Sequence, residues 1–209
     1  MLINLLKRLW RLLPIKFRSY IAKLRFVLLG GDVVLDPMYS DDGLISQHVT
    51  SFMTDKKFID SYNKGKQLGA LDGHPGDIHF RAYVACWAAK YALNLDGDFA
   101  ECGVGKALLS KTIVEYLDFK GVKKKFYLFD TYEGIPQDSG VSILENKNIE
   151  FLNAAHFNED YYQKVDYFFK GYENVILCQG RIPDSFEGVP IKRLSYISID
   201  MNNATAEMA

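Results

Sequence analysis

The chain has no charge excess of either sign. Its 25 basic and 26 acidic residues leave a formal net charge of −1 over 209 residues, so the overall electrostatic footprint of a nucleic-acid binder is missing. It is also poor in cysteine: Cys86, Cys102 and Cys178 are an odd number, and none belongs to a C-x-x-C pair. That usage excludes a disulfide frame and a zinc site, and fits reduced thiols in a cytoplasmic protein. Internal repeats and low-complexity tracts are absent. What is present, 48% apolar and 24% charged residues, is the composition of an ordinary globular domain, here with an appendage.

The appendage is defined by a further lack. No acid precedes Asp32, while Lys7, Arg8, Arg11, Lys16, Arg18, Lys23 and Arg25 alternate with Leu5, Leu6, Leu9, Trp10, Leu12, Leu13, Phe17, Tyr20, Ile21 and Leu24. This leader contains no apolar run near the ~20 residues that span a bilayer. Its charges do not precede an apolar core, as they would in a signal peptide. Residues 1–30 therefore read as a basic amphipathic helix, broken near Pro14, with 1–29 suited to peripheral contact with an anionic inner membrane surface. A solvated helix packed on the domain or on a second subunit is the plainer alternative. Residues 31–97 read as a helical N-terminal cap region with turn signals at Gly30-Gly31, Asp41-Asp42-Gly43, Lys64-Gly65 and Gly73-His74-Pro75-Gly76. A helix is expected from Asp77, its N-cap, to about Leu95, with Phe80, Tyr83, Val84, Trp87, Ala88 and Tyr91 as its core face.

Residues 98–131 organise the rest. A short apolar run ends in Glu101-Cys102-Gly103-Val104-Gly105. Leu109, Ile113, Tyr116 and Leu117 then mark one helical face, Gly121 stands as the expected helix stop, and a second apolar run ends on Asp130. Strand, glycine turn, helix and strand make half of a nucleotide-binding α/β unit. Two nucleotide classes are excluded by missing residues. The dinucleotide fingerprint lacks its third small residue, since Leu108 stands there, and a P-loop fails at Ala100 and Ala107. An acid at each strand end around Gly-x-Gly suits S-adenosylmethionine, whose amino-acid end is an ammonium without phosphate. Glu101 would repel a pyrophosphate and attract a cation, while Asp130 stands where a ribose diol would lie.

Glu101-Cys102-Gly103-Val104, the octet Phe129-Asp130-Thr131-Tyr132-Glu133-Gly134-Ile135-Pro136, and Ile199-Asp200 are similar to the macrocin O-methyltransferase family. The resemblance covers roughly Gly76 to the C-terminus. It implies S-adenosylmethionine-dependent methylation of a sugar hydroxyl with a magnesium ion, and a segment before the first strand that helps to cover the substrate. His48 and His74 are then either substrate contacts or ordinary surface residues.

Beyond Pro136 a polar loop is expected to about Asn158, carrying His156 as a substrate contact or base. Asn158 reads as the cap of a helix with Tyr161, Tyr162, Val165, Phe168 and Phe169 inward, closed by Gly171. A third strand ends at Gln179-Gly180, and a fourth, Leu194–Ile199, delivers Asp200 to the same edge as Glu101 and Asp130. The resemblance puts the adenine beside Gln179, Gly180 and Ile182, and makes Asp200 the catalytic residue that holds the magnesium ion or orients the acceptor. It also implies a second acid where Asn202 stands. The expected cofactor set is thus Glu101, Cys102, Gly103, Gly105, Ser110, Asp130, Thr131, Tyr132, Gln179, Gly180 and Ile182.

The expected fold is α/β, a Rossmann-like class I methyltransferase fold with a partial parallel sheet of strand order 3-2-1-4, preceded by N-terminal helices. The S-adenosylmethionine-binding domain spans 98–209, and the family's later strands and acids are expected to be missing after Ala209. The acceptor expected is a small sugar-containing molecule: a glycoside, glycolipid or polysaccharide precursor. No nucleic-acid partner is expected, and a homo-oligomer paired through the fourth strand is. The rival is a non-catalytic, truncated nucleotide-binding or membrane-associated interaction protein. An NAD-dependent enzyme is disfavoured by Leu108 and Glu101.

Overall fold

A computed structural model describes residues 37–68, 77–136, 143–156 and 161–208. The leader 1–30, His74 and Asn158 lie outside them. The chain divides into two compact units, residues 1–40 with 45–49, and residues 41–44 with 50–209. In the first, the described residues include exposed His48 on the chain after the second of two short strands, β1 (Tyr39–Asp41) and β2 (Leu44–Ser46). The turn between those strands, Asp42-Gly43, belongs to the second unit and has φ of 50 and 75.

The second unit is built on four parallel strands: β3 (Asp98–Cys102), β4 (Phe126–Asp130), β5 (Val175–Gln179) and β6 (Leu194–Ile199), in the spatial order β5-β4-β3-β6. This is the expected Rossmann-like α/β sheet and strand order. In-register pairing sets Glu101 beside Leu128 and Ser198, so Cys102, Asp130 and Ile199 all finish at one edge. The chain runs outward from β3 to β5 and then returns to the far side of β3. The reversal opens a crevice at the carboxyl ends of β3 and β6, where ligands bind in open α/β sheets.

Both faces of the two central strands are apolar, as parallel strands covered on both sides require. On one face Phe99, Phe126 and Tyr196 pack with Phe119, at ring separations of 5.2 Å for Phe99–Tyr196 and 5.4 Å for Phe99–Phe119. On the other, Ala100, Cys102, Tyr127 and Phe129 lie under Ile182, Val189, Ile191 and Met201. Each fully buried ring contributes about 1.5–3 kcal/mol. Outward-facing Ile197 and Ile199 of β6 remain half exposed.

Helices α1 (Lys56–Gly65), α2 (His79–Ala92) and α3 (Leu108–Tyr116) cover one side. Asp55 caps α1 by accepting from the Phe58 N–H at 3.1 Å. Gly65 permits close packing of α1 on α3, since a Cβ there would stand 2.3 Å from Thr112 Oγ1. Buried on most of its surface, α3 ends differently from the expectation. Asp118, left-handed at φ 51, breaks the chain direction, and Gly121 closes only a following 3-10 turn. Two larger expectations are corrected. The core face of α2 is Ala82, Cys86, Ala89 and Ala92, while Phe80, Val84, Trp87 and Tyr91 are exposed; the small residues let α2 approach α3 and β6 closely. Nor does Asp77 cap α2: it accepts from Tyr62 and is ion-paired to Lys66. The expected loop after Pro136 contains α4 (Ile143–His156) instead. That helix is anchored by buried Ile149 and by Asn153, whose amide exchanges two 2.8 Å hydrogen bonds with the Ile135 backbone. The next helix, α5 (Tyr162–Phe168), buries Val165 and is followed by Gly171 at φ 87.

Candidate functional site

At the crevice the β3 backbone turns through Gly103 and Gly105, whose φ values of 87 and 53 belong to the left-handed region. Gly103 has a second reason to be glycine: a Cβ would sit 2.1 Å from the Asp200 carbonyl oxygen. The β3 and β6 loops are therefore in backbone contact, joined by the Asp200 N–H donating to Cys102 O at 2.9 Å.

The Asp130 carboxylate holds the glycine turn. Its Oδ2 accepts from the Gly105 N–H at 2.8 Å and its Oδ1 from the Tyr132 N–H at 2.7 Å. Two loops from neighbouring strands are thereby fixed by one side chain, with lone pairs left over for a ligand. Glu101 stands deeper, 3% exposed, and its Oε2 has no hydrogen-bond partner. Burial, reinforced by the Asp130 and Asp200 carboxylates and opposed by a hydrogen bond from Ser110, pushes its carboxyl up to about 8. Asp200 sits at the rim. Burial and Glu207 raise its carboxyl above the ordinary value, against the pull of Arg81.

These groups face a cavity of about 380 Å³, inside the ~300–1,000 Å³ range of small-molecule sites. Of the residues expected from sequence, Glu101, Gly103, Gly105, Asp130, Thr131, Gly180, Ile182 and Asp200 line it together. The other four do not line it. Cys102 packs its thiol into the core cluster beneath Phe129, and Ser110 is buried on α3 as the hydroxyl partner of Glu101. Tyr132 turns its phenol inward, donating to Leu128 O at 2.9 Å, while exposed Gln179 donates to Thr131 O at 3.4 Å. His156 belongs to α4.

Sequence reasoning missed Arg81. From α2 its Nε and Nη2 donate to both oxygens of Asp42 at 3.1 and 2.7 Å, and its Nη1 lies 3.6 Å from Asp200 Oδ2. It also lines the cavity, as do Ile78, Met201 and Asn203. Nothing in the local sequence marks Arg81, because its role arises only when α2 crosses the edge of the sheet. Asn203 caps the short helix α6 (Ala204–Glu207), accepting from the Ala206 N–H at 3.2 Å. In turn Glu207 Oε1 accepts from the Met201 and Asn202 N–H groups at 2.9 and 3.0 Å.

The donor set does not fit the magnesium ion implied by the resemblance. Asp200 already faces a guanidinium, Asn202 is a neutral amide, and among the described residues no three of His, Cys, Asp and Glu converge as metal ligands. An octahedral hard cation needs several oxygen donors at one point.

No family model and no curated protein matches the chain. Among solved structures, that of the O-methyltransferase NovP is similar, with a TM-score of 0.47 and 20% identity over 58% of this chain and 53% of that one. The chain thus spans about half the length of that protein. A likeness of this size assigns neither an activity nor a ligand.

Proposed function

We propose that the chain binds S-adenosylmethionine in this cavity and directs its methyl group to an acceptor hydroxyl, a sugar hydroxyl being the acceptor class implied by the macrocin O-methyltransferase resemblance. The observation that carries the reading is Glu101: a buried carboxyl oxygen without a partner, facing a cavity whose floor is a glycine turn. The missing partner is a cation, and the amino-acid end of S-adenosylmethionine supplies an ammonium. Pyrophosphate-bearing nucleotides would instead meet Asp130 and Asp200 with like charge and bring no cation to Glu101.

In this reading Glu101 and the backbone at Gly103 and Gly105 hold the amino-acid end. Asp130, its carboxylate already oriented by two backbone N–H groups, accepts from the ribose hydroxyls. Gly180 and Ile182, which line the cavity, would flank the adenine. When bound, the sulfonium supplies a methyl group on a good leaving group, so little covalent help is asked of the protein. Asp200, half exposed at the rim, accepts the proton-bearing side of the acceptor hydroxyl. Its raised carboxyl makes it a better base than an ordinary aspartate. Arg81 fixes the Asp200 carboxylate from the side. No step is assigned to a metal ion.

Calorimetry with S-adenosylhomocysteine and a turnover assay with methyl-labelled S-adenosylmethionine test the reading. Saturable binding that NADH does not compete is expected. Absence of binding refutes it, and binding without turnover on any sugar acceptor favours the non-catalytic nucleotide-binding protein.

A further inference from the structure

The environment of Glu101 carries a consequence for how the site tells ligands apart. Among the described residues, the groups that act on this side chain are neutral or acidic. Ser110 stands on α3, Asp130 and Tyr132 follow β4, Tyr196 and Asp200 belong to β6 and its end, and Cys102 adjoins it on β3. Three cations among the described residues line the cavity: Arg81 is engaged with Asp42 and Asp200, Lys106 lies over the Tyr161 ring, 5.4 Å from its centroid, and Arg181 follows β5; none of them is among the groups that shift Glu101. A carboxylate 3% exposed, with one oxygen lacking any partner, is a poor place for an unbalanced negative charge. Burial accordingly pushes its carboxyl up to about 8, the two neighbouring carboxylates adding to the effect.

We propose that Glu101 keeps its proton while the cavity is empty and surrenders it to solvent when a ligand places an ammonium group against it, so that the site selects ligands by that ammonium and releases one proton for each ligand bound. The Glu101 O–H bond breaks with its electron pair left on the carboxylate. The proton leaves to buffer, the ammonium keeps its own protons, and no covalent bond forms to the ligand. The proposal rests on the S-adenosylmethionine reading and adds to it a charge-exchange step. A ligand lacking the ammonium leaves Glu101 neutral and gains no ion pair. Glu101 is then a filter for ligand charge as well as a contact.

The probe is S-adenosylhomocysteine, which bears the same ammonium, titrated calorimetrically into the full chain in buffers of different ionisation enthalpy. At pH 7 the observed enthalpy should change with the buffer by close to one proton per site. Affinity should rise about tenfold per pH unit between roughly pH 6 and 7. In Glu101→Gln both dependences should vanish, and the deaminated analogue of the probe should bind the native chain without proton release. Tight binding with no buffer dependence overturns the proposal and leaves the cofactor reading standing. Failure of the native chain to bind the probe at any pH overturns both. Where Glu101→Gln does not fold, proton release by the native chain is compared between the probe and its deaminated analogue. Equal release with both ligands overturns the proposal.

Discussion

Replacing Gly103 by alanine probes the contact on which the site depends. A Cβ built there meets the Asp200 carbonyl oxygen at 2.1 Å and its carbon at 2.6 Å, against 3.4 Å for ordinary contact. The β3 turn and the β6 end must therefore separate by about 1.3 Å, the difference between 3.4 and 2.1 Å. Neither neighbour can yield cheaply, because both are backbone. The Asp200 N–H donates to Cys102 O at 2.9 Å one residue away, and the Gly103 N–H donates to Phe129 O at 2.9 Å. Holding a non-glycine residue at φ 87 adds about 1–2 kcal/mol. Overpacking of this kind costs about 1–3 kcal/mol, and loss of the Asp200–Cys102 hydrogen bond about 1 kcal/mol. The sum, about 3–6 kcal/mol, is a large share of a typical domain's ~5–15 kcal/mol. It should lower the unfolding temperature by on the order of 10 °C. Denaturant unfolding followed by circular dichroism measures it, with Gly121→Ala as the control. A Cβ at Gly121 meets nothing within 4 Å, so that variant should be unchanged or stabilised by up to ~1 kcal/mol. A Gly103→Ala protein within ~1 kcal/mol of the native chain would show that the two loops are not in backbone contact and that Asp200 is not held at the crevice.

Asp130→Ala should weaken S-adenosylhomocysteine binding by about one to two decades, since it removes a charged acceptor worth roughly 1.5–3 kcal/mol per hydrogen bond. It also frees the Gly105 and Tyr132 N–H groups, so amide exchange at both should accelerate; unchanged affinity and unchanged exchange would contradict both roles. Glu115 gives the acid limb of stability. Burial alone would raise its carboxyl, but hydrogen bonds from Lys64, Tyr172 and Lys111 bring it down to about 2. A depressed carboxyl stabilises the fold above the unfolded value and loses that contribution as pH falls toward 2, on the order of 2–3 kcal/mol. Glu115→Gln should flatten unfolding free energy between roughly pH 5 and 2, and a native-like acid limb in that variant would refute the assignment. For the basic leader, co-sedimentation with phosphatidylserine vesicles is expected, released by salt and by charge reversal at Lys7, Arg8 and Arg11. Equal sedimentation with neutral vesicles would refute an electrostatic surface contact.

Local chemistry by itself determined the sheet and one rim of the site. Period and punctuation locate strands, so β3, β4, β5 and β6 lie where the apolar runs ending in Glu101-Cys102, Asp130, Gln179 and Ile199 put them. Parallel strands with short glycine turns must then bring their carboxyl ends together, which is why Glu101, Asp130 and Asp200 meet at one cavity. Periodicity names a helical face without naming its neighbour. The wide aromatic stripe of α2 therefore looked like core, whereas the narrow one of Ala82, Cys86 and Ala89 packs inward because only small side chains allow that approach. Helix α4 was illegible for a related reason: its hold on the domain is Asn153 gripping the Ile135 backbone, a contact between segments 18 residues apart. Tertiary structure alone also decided what Glu101 and Asp200 are. Burial, with Oε2 left unpartnered, pushes the Glu101 carboxyl up to about 8, which no local pattern foretells. A guanidinium arriving from α2, 119 positions earlier in the chain, stands 3.6 Å from the Asp200 carboxylate, which the family resemblance had made a metal ligand. Charge state and coordination depend on distances in space, and those are set by packing, whereas strand ends and glycine turns are set by the residues themselves.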